Sequence, residues 1–403
     1  MKIFRSIGLL GLILVISDAH AINPRRPWLF FVYIAGDNNL WPEADKNINQ
    51  MVKASKTANA YIVVHLNIKR DGQKKQSQLL LIQDGAILQQ GATTVEDSGD
   101  YKTLIKALSA TVTAYPSDYI LVDLWNHGSG SLNRNMMEQR GICYDDTTGH
   151  FMTDLDYKQA LDVIVNQYRG GKKLDIVTFD ACLMADIEVA FTLQPYANYL
   201  VSSQQTVPGA GYNYTTVLNA LASSVPTPAS FAKSIVQAFD SYYKSSGLTY
   251  TLSAINLSKL TTVINATNTL ANLLTGLLKN DKSKALTGAI TSAANSSNMP
   301  KLDESTYLDL YTLCSNLYLQ ATRAGLAKTD AAKLKTATRN CMTAIAQAVF
   351  ANVRSSELAN AKGLSIYFAD THYGMEPSYP DLYWSEINPA WVNFLHSYLS
   401  KAS

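Results

Sequence analysis

Two stretches decide how this chain folds: Tyr119-Ile120-Leu121-Val122-Asp123-Leu124-Trp125-Asn126-His127-Gly128-Ser129-Gly130 and Leu174-Asp175-Ile176-Val177-Thr178-Phe179-Asp180-Ala181-Cys182-Leu183-Met184. Each opens with a short apolar, β-branched run, Tyr119 to Leu124 and Leu174 to Thr178, of the kind that forms a parallel strand buried on both faces. Each then delivers one chemically useful side chain, His127 or Cys182, just past the end of its strand. Open α/β sheets assemble active sites at the carboxyl ends of their strands.

Outward from these runs, the same alternation continues. Trp28 to Ala35 predicts a buried strand, Gly36-Asp37-Asn38-Asn39 a turn and helix cap, and the following segment, with Pro42 in its first turn, a helix. Tyr61 to Leu66 and Ser77 to Ile82 predict a hairpin around Asp71-Gly72, and Asp84-Gly85 turns the chain again. Helical spacing follows over Asp100 to Ala114 and Asp154 to Tyr168, and after Cys182 a helix is expected from Met184 to about Thr192. The intervening residues 128–153 read as a long polar irregular insertion. Tyr199 to Ser202 predicts one more strand before the glycine-rich turn Val207-Pro208-Gly209-Ala210-Gly211. Strand–helix alternation implies an α/β fold with a mostly parallel sheet and helices on both faces. From Thr215 to Phe350 the pattern is largely helical, apart from a strand at Tyr250 to Asn256 and a polar break at Asn295 to Leu302. Helices are expected near 305–322 and 328–352, a late strand at Gly363 to Phe368 and a helix at Trp391 to Leu399. The organisation expected is 22–225 as a catalytic α/β core and 226–403 as a mostly helical region completing the fold.

The first 21 residues read as a secretory signal peptide: a basic start with Lys2 and Arg5, an apolar run from Ile7 to Ile16, and Ala19-His20-Ala21 with cleavage expected after Ala21. The apolar run is short for a membrane anchor. Export is therefore expected, to a periplasm or outside the cell. Loss of Lys2, Arg5 and Asp18 takes the formal net charge from +2 to +1. A nearly neutral chain argues against nucleic acid or an anionic membrane as partner. The four cysteines are Cys143, Cys182, Cys314 and Cys341; Cys314 and Cys341 fall on successive helical patterns and are either a disulfide or two buried thiols.

A thiol attacks an amide as its thiolate, so it needs a base and backbone donors for the oxyanion. His127 is the candidate base and Cys182 the nucleophile, with the N–H groups of Gly128 and Cys182 as candidate oxyanion donors. The helix expected after Cys182 would favour the thiolate through its dipole. A histidine and a cysteine far apart in sequence also fit a buried thiol and an unrelated histidine. No zinc-peptidase, serine-hydrolase or phosphate-loop motif is present in the chain.

Several ordered motifs sharpen the choice. Tyr33-Ile34-Ala35-Gly36-Asp37-Asn38-Asn39-Leu40, His127-Gly128-Ser129-Gly130, Gly141 to Thr147, Phe179-Asp180-Ala181-Cys182-Leu183-Met184-Ala185 and Pro208 to Tyr214 resemble, in pattern and order, the clostripain family of cysteine peptidases. The resemblance covers about residues 30–215 well, with a weaker match at Gly363 to Phe368. It implies a caspase-like fold, a His127/Cys182 dyad, protein or peptide substrates cut after arginine or lysine, and self-cleavage. It also implies calcium dependence in some members, although no cofactor is required for the chemistry. A basic substrate side chain needs a carboxylate partner, for which Asp180 is the candidate; its other reading is a structural carboxylate capping the next helix. Family members often add a second acid before the Pro-Gly turn, and Ser203-Gln204-Gln205-Thr206-Val207 contains none. Arg140, in the loop after His127, is the candidate self-cleavage site. Asp145 and Asp146 are candidate calcium ligands or solvated loop residues. His65, inside a buried run, is expected to be a hydrogen-bonded core histidine. The competing reading is a catalytically silent caspase-like binding protein.

Overall fold

The computed structural model describes residues 23–131, 141–369 and 371–402. Their centre is a nine-stranded sheet. In chain order its strands are β1 (Arg26–Gly36), β2 (Ala60–Ile68), β3 (Gln76–Gln83), β4 (Ala86–Thr94) and β5 (Ser117–Trp125), followed, after a small hairpin of β6 (Ile142–Asp145) and β7 (His150–Met152), by β8 (Leu174–Asp180), β9 (Ala197–Ser202) and β10 (Thr251–Asn256). Beyond β11 (Tyr307–Asp309), β12 (Val349–Arg354) completes the large sheet, and β13 (Ser365–Tyr367) pairs with β11. The spatial order is β12-β10-β9-β8-β5-β1-β2-β3-β4. The five strands from β9 to β2 run parallel, and antiparallel strands extend both edges.

Alternation along β1 explains the layering. Leu29, Phe31, Tyr33 and Ala35 enter one core, and Trp28, Phe30, Val32 and Ile34 enter the other. Helices α1 (Trp41–Ala54), α5 (Tyr214–Asn219) and α6 (Pro228–Tyr243) cover the second face. The first face carries α2 (Tyr101–Ala114), α3 (Asp154–Val163), α4 (Ile187–Leu193) and the helices of the C-terminal half: α7 (Leu260–Lys279), α8 (Ala285–Ala294), α9 (Leu310–Gln320), α10 (Lys328–Ala348), α11 (Tyr383–Ile387) and α12 (Ala390–Ala402). Local chemistry marks several helix starts. Asp100 accepts from Lys102 N–H to open α2, and Thr153 with Asp156 forms a reciprocal capping box on α3.

Three expectations need correction. The stretch after Cys182 is not yet helix: α4 begins at Ile187, capped by Asp186, so its dipole does not start at the thiol. The insertion after His127 contains the β6–β7 hairpin. The helix expected over 328–352 ends at Ala348, where the chain becomes β12 and pairs with β10. Two strands of the main sheet therefore come from beyond residue 225. All four cysteines are free thiols, with Cys314 and Cys341 buried and in side-chain hydrogen-bond contact.

Beside the strand ends lies a buried ion triad. Lys75 is 5% exposed in its side chain, pairs with Asp37 at 3.1 Å, and also pairs with the fully buried Asp145. Removing the cation would strand two buried carboxylates, which costs about 3–5 kcal/mol. Lys75→Ala is therefore expected to lower unfolding free energy by about that amount in urea titration; a change under ~0.5 kcal/mol would contradict a structural role for the triad.

Candidate active site

Strands β5 and β8 are parallel neighbours in which Trp125 stands opposite Asp180. Asn126 N–H donates to the Asp180 carbonyl at 3.3 Å, carrying the pairing one residue further. His127 and Cys182, each two residues past its strand, therefore leave the sheet side by side and line one cavity of about 120 Å³ together with Leu40, Trp125, Asp180 and Gly211.

Neighbouring side chains hold the histidine loop. Asn126 donates to Ala35 O at the end of β1 and accepts from Tyr144 N–H at 2.9 Å. Asn39, in the turn after β1, accepts from His127 Nε2 at 2.7 Å. With the Nε2 proton used there, Nδ1 is left as the basic nitrogen. Burial pushes the His127 imidazole below its ordinary value, partly opposed by the charge of Asp146.

At the candidate nucleophile, the Sγ of Cys182 accepts from Val207 N–H at 3.2 Å. Burial is the main influence on this thiol and raises its pKa; the Val207 and Gly128 N–H groups pull it down, and the charges of Asp180 and Asp303 push it up. The next residue, Leu183, has φ 66°, a left-handed conformation unusual for a γ-branched side chain. It is held by Leu183 N–H on Gln205 O at 3.2 Å, with Ala185 N–H on Ser203 O at 2.9 Å. Gly128 packs directly on this segment: a Cβ there would lie 2.6 Å from the Cys182 carbonyl oxygen. The two candidate oxyanion donors, Gly128 and Cys182, are thus brought together.

Asp180 lies beneath the cavity and does not cap a helix. Its Oδ2 accepts from Tyr212 N–H at 2.9 Å and lies 3.0 Å from the Tyr214 hydroxyl, whereas Oδ1 is buried without a hydrogen-bond partner. Gly211, at φ 63°, passes so close that a Cβ would meet Oδ2 at 2.5 Å, so glycine is required there. Burial raises the Asp180 carboxyl to about 7 despite these donors. Asp123, fully buried on the adjacent strand, accepts from Tyr214 OH at 2.7 Å and is driven upward by burial and by the Asp180 charge. Sequence reasoning did not single out Asp123, although a carboxylate inside an otherwise apolar run was a signal that could have found it. Asn39 and Asp303 had no comparable signal.

A larger groove of about 690 Å³ adjoins the cavity and is lined by His127, Gly128, Leu183, Thr206, Asp146 and Asp303 among others. Asp145 faces away into the ion triad, where Lys75, Ser98 N–H, Ser98 Oγ and Thr148 N–H engage its oxygens. Asp145 and Asp146 therefore do not fit as a paired calcium site. Among the described residues no group of three His, Cys, Asp or Glu side chains is placed to hold a metal. His65 is hydrogen-bonded to Glu96 at 2.9 Å and stacked on Tyr33, as expected for a core histidine. Ala21 and Arg140, the expected cleavage positions, lie outside the described residues.

Comparison with known proteins agrees with this geometry. A profile of the clostripain family matches residues 32–397. Clostripain from Hathewaya histolytica is 30% identical over 132 residues, which are 30% of this chain and 24% of that protein; the chain thus spans about a quarter of this curated relative's length. A secreted cysteine protease from Bacteroides thetaiotaomicron, solved with an irreversible peptide inhibitor, superposes with a TM-score of 0.63 at 22% identity, covering 92% of this chain and 99% of the other. An inactive zymogen protease from Parabacteroides distasonis gives 0.66 at 19% identity, covering 91% and 99%. The chain belongs to the clostripain family, a family of cysteine-type endopeptidases, and has its caspase-like fold.

The resting site holds an imidazole lowered and a thiol raised by burial, so both partners are neutral near pH 7. Alkylation of Cys182 by iodoacetamide is expected to keep accelerating with pH above the ordinary thiol value of about 8.5. A plateau already reached by pH 7, read by mass spectrometry of the labelled peptide, would indicate a preformed thiolate instead.

Proposed function

We propose that this chain is a secreted cysteine endopeptidase that uses His127 and Cys182 to hydrolyse peptide bonds after arginine or lysine. The observation that carries the reading is the meeting, in one cavity, of a histidine, a cysteine and an aspartate, Asp180, one of whose buried oxygens has no hydrogen-bond partner. In this scheme Nδ1 of His127 takes the thiol proton as Sγ attacks the substrate carbonyl carbon. The N–H groups of Gly128 and Cys182 receive the oxyanion. His127 then protonates the departing amine, and water hydrolyses the thioester with His127 as base. Asp180, at the cavity floor, receives the ammonium or guanidinium of the residue on the acyl side of the cut.

Secretion and self-processing complete the proposal. The leader ending at Ala21 directs export, in keeping with the relative described as secreted, and no helix among the described residues is long and apolar enough to cross a membrane. Cleavage after Arg140 would divide the chain between His127 and Cys182. Residues 22–225 supply the dyad, and the later region adds strands β10 and β12 at the edge beyond β9.

Mass spectrometry of wild type and Cys182→Ala tests the chemistry: a cut after Arg140 in the wild type alone is the expected result. Cys182→Ala is expected to reduce kcat by ~10⁴-fold or more, and His127→Ala by ~10²–10⁴-fold. Folded wild type silent toward peptides with every residue at the cut would overturn the reading and leave a caspase-like binding protein.

The pH dependence has a definite sign. Asp180 titrates near 7, so its anionic form fades below that pH. The KM for an arginyl peptide is expected to fall as pH rises from 6 to 8. Asp180→Asn is expected to flatten that dependence and lower arginine-over-glutamine selectivity by ~10–100-fold. Steady-state kinetics with paired peptides measure both; selectivity retained in Asp180→Asn would remove Asp180 from this role.

A further inference from the structure

The segment before the Pro208-Gly209 turn lacks an acid of its own, yet an acid is bound to it from 98 residues further along the chain. The Gln205 side-chain amide donates to Asp303 Oδ1 at 3.0 Å and accepts from Asp303 N–H at 2.8 Å. Thr206 Oγ1 donates to Asp303 Oδ2. Gln205 is itself 1% exposed, so the clasp is built on a fixed base. Thr206 adjoins Val207, whose N–H reaches the Cys182 sulfur. Asp303 is nevertheless exposed, and it lines the larger groove, not the cavity that holds Asp180.

We propose that Asp303 is a specificity-determining residue: held by Gln205 and Thr206 on the groove wall, it selects polypeptides carrying a second lysine or arginine beside the scissile residue. The inference rests on the proposed peptidase function and extends it to a substrate class, paired basic residues. The chemistry is that of a tethered carboxylate. Its two oxygens offer about four acceptor positions; neutral donors occupy two, and no lysine, arginine or histidine is paired with it among the described residues. An incoming cation therefore finds an anion whose position is already paid for by internal hydrogen bonds. Asp146 lines the same groove and adds negative charge to it. Because Asp303 is open to solvent, the preference should be modest and sensitive to salt.

Equilibrium binding to the full chain carrying Cys182→Ala separates this inference from the catalytic one. Fluorescence anisotropy would compare labelled peptides with arginine at the scissile position and either lysine or glutamine at each adjoining position. Lysine at one of those positions is expected to bind ~2–5-fold tighter at low salt. The advantage should vanish at ~0.5 M salt, vanish in Asp303→Asn and persist at least in part in Asp303→Glu. Equal affinities for lysine and glutamine at every adjoining position, or a preference that survives Asp303→Asn, would overturn the proposal. The same peptides with glutamine replacing the scissile arginine read Asp180 separately. Indifference to that change, with the lysine advantage intact, would sink only the Asp180 assignment, whereas absence of all peptide binding would sink both.

Discussion

Everything at the candidate active site depends on one backbone constraint, the in-register parallel pairing of β5 with β8. Opposing Trp125 to Asp180 fixes where both strands stop, and the Asn126 to Asp180 hydrogen bond extends the pairing past the sheet. Side-chain direction alternates along a strand, so a slip of one residue would exchange the two faces. Asp123 would leave Tyr214, and Asp180 would leave the cavity. The apolar runs that bury both strands are therefore also what aligns a histidine from one loop with a cysteine from the next.

Around that alignment the site combines groups that burial makes hard to charge. The thiol and the imidazole are both shifted toward neutrality, and two carboxyl groups, Asp123 and Asp180, share the Tyr214 hydroxyl beneath them. Two neighbouring buried carboxyls do not readily ionise together. Tyr212 N–H donates to Asp180, which also lines the cavity, so under the proposed function Asp180 is the member of the pair that carries the charge. Asn39 completes the arrangement by directing the imidazole through Nε2.

Much of the parallel core was legible in the sequence because strands buried on both faces leave continuous apolar runs, as in Trp28 to Ala35 and Leu174 to Thr178. The less visible elements had other causes. Strand β4 is almost wholly exposed, so no buried face patterns it, and it is held as a strand by pairing with β3. Strand β12 follows α10 without a breaker, and its conformation is fixed by pairing with β10. His127, Cys182 and Asp180 stood out because each closes a strand. Asp303 did not: its meeting with Gln205 and Thr206 is a tertiary event with no local periodicity, and Asn39 was equally inconspicuous inside a turn-forming Asp-Asn-Asn run. Asp145 and Asp146 show the converse, since adjacent carboxylates that suggested one ligand pair point into different environments.

The way the far end of the chain holds the segment after Cys182 has a temporal meaning. Ala185, three residues after Cys182, accepts hydrogen bonds from the backbone and hydroxyl of Ser365, at 2.9 and 3.1 Å, and the strands flanking β9 and β10 include one that begins only at Val349. Such distant contacts form late, after most of the loop entropy has been spent. A growing chain that already contains both His127 and Cys182 still lacks the residues that hold the cysteine segment in place. The order of synthesis thus separates possession of the two groups from their alignment, and the growing chain gains from that delay a period of chemical quiet.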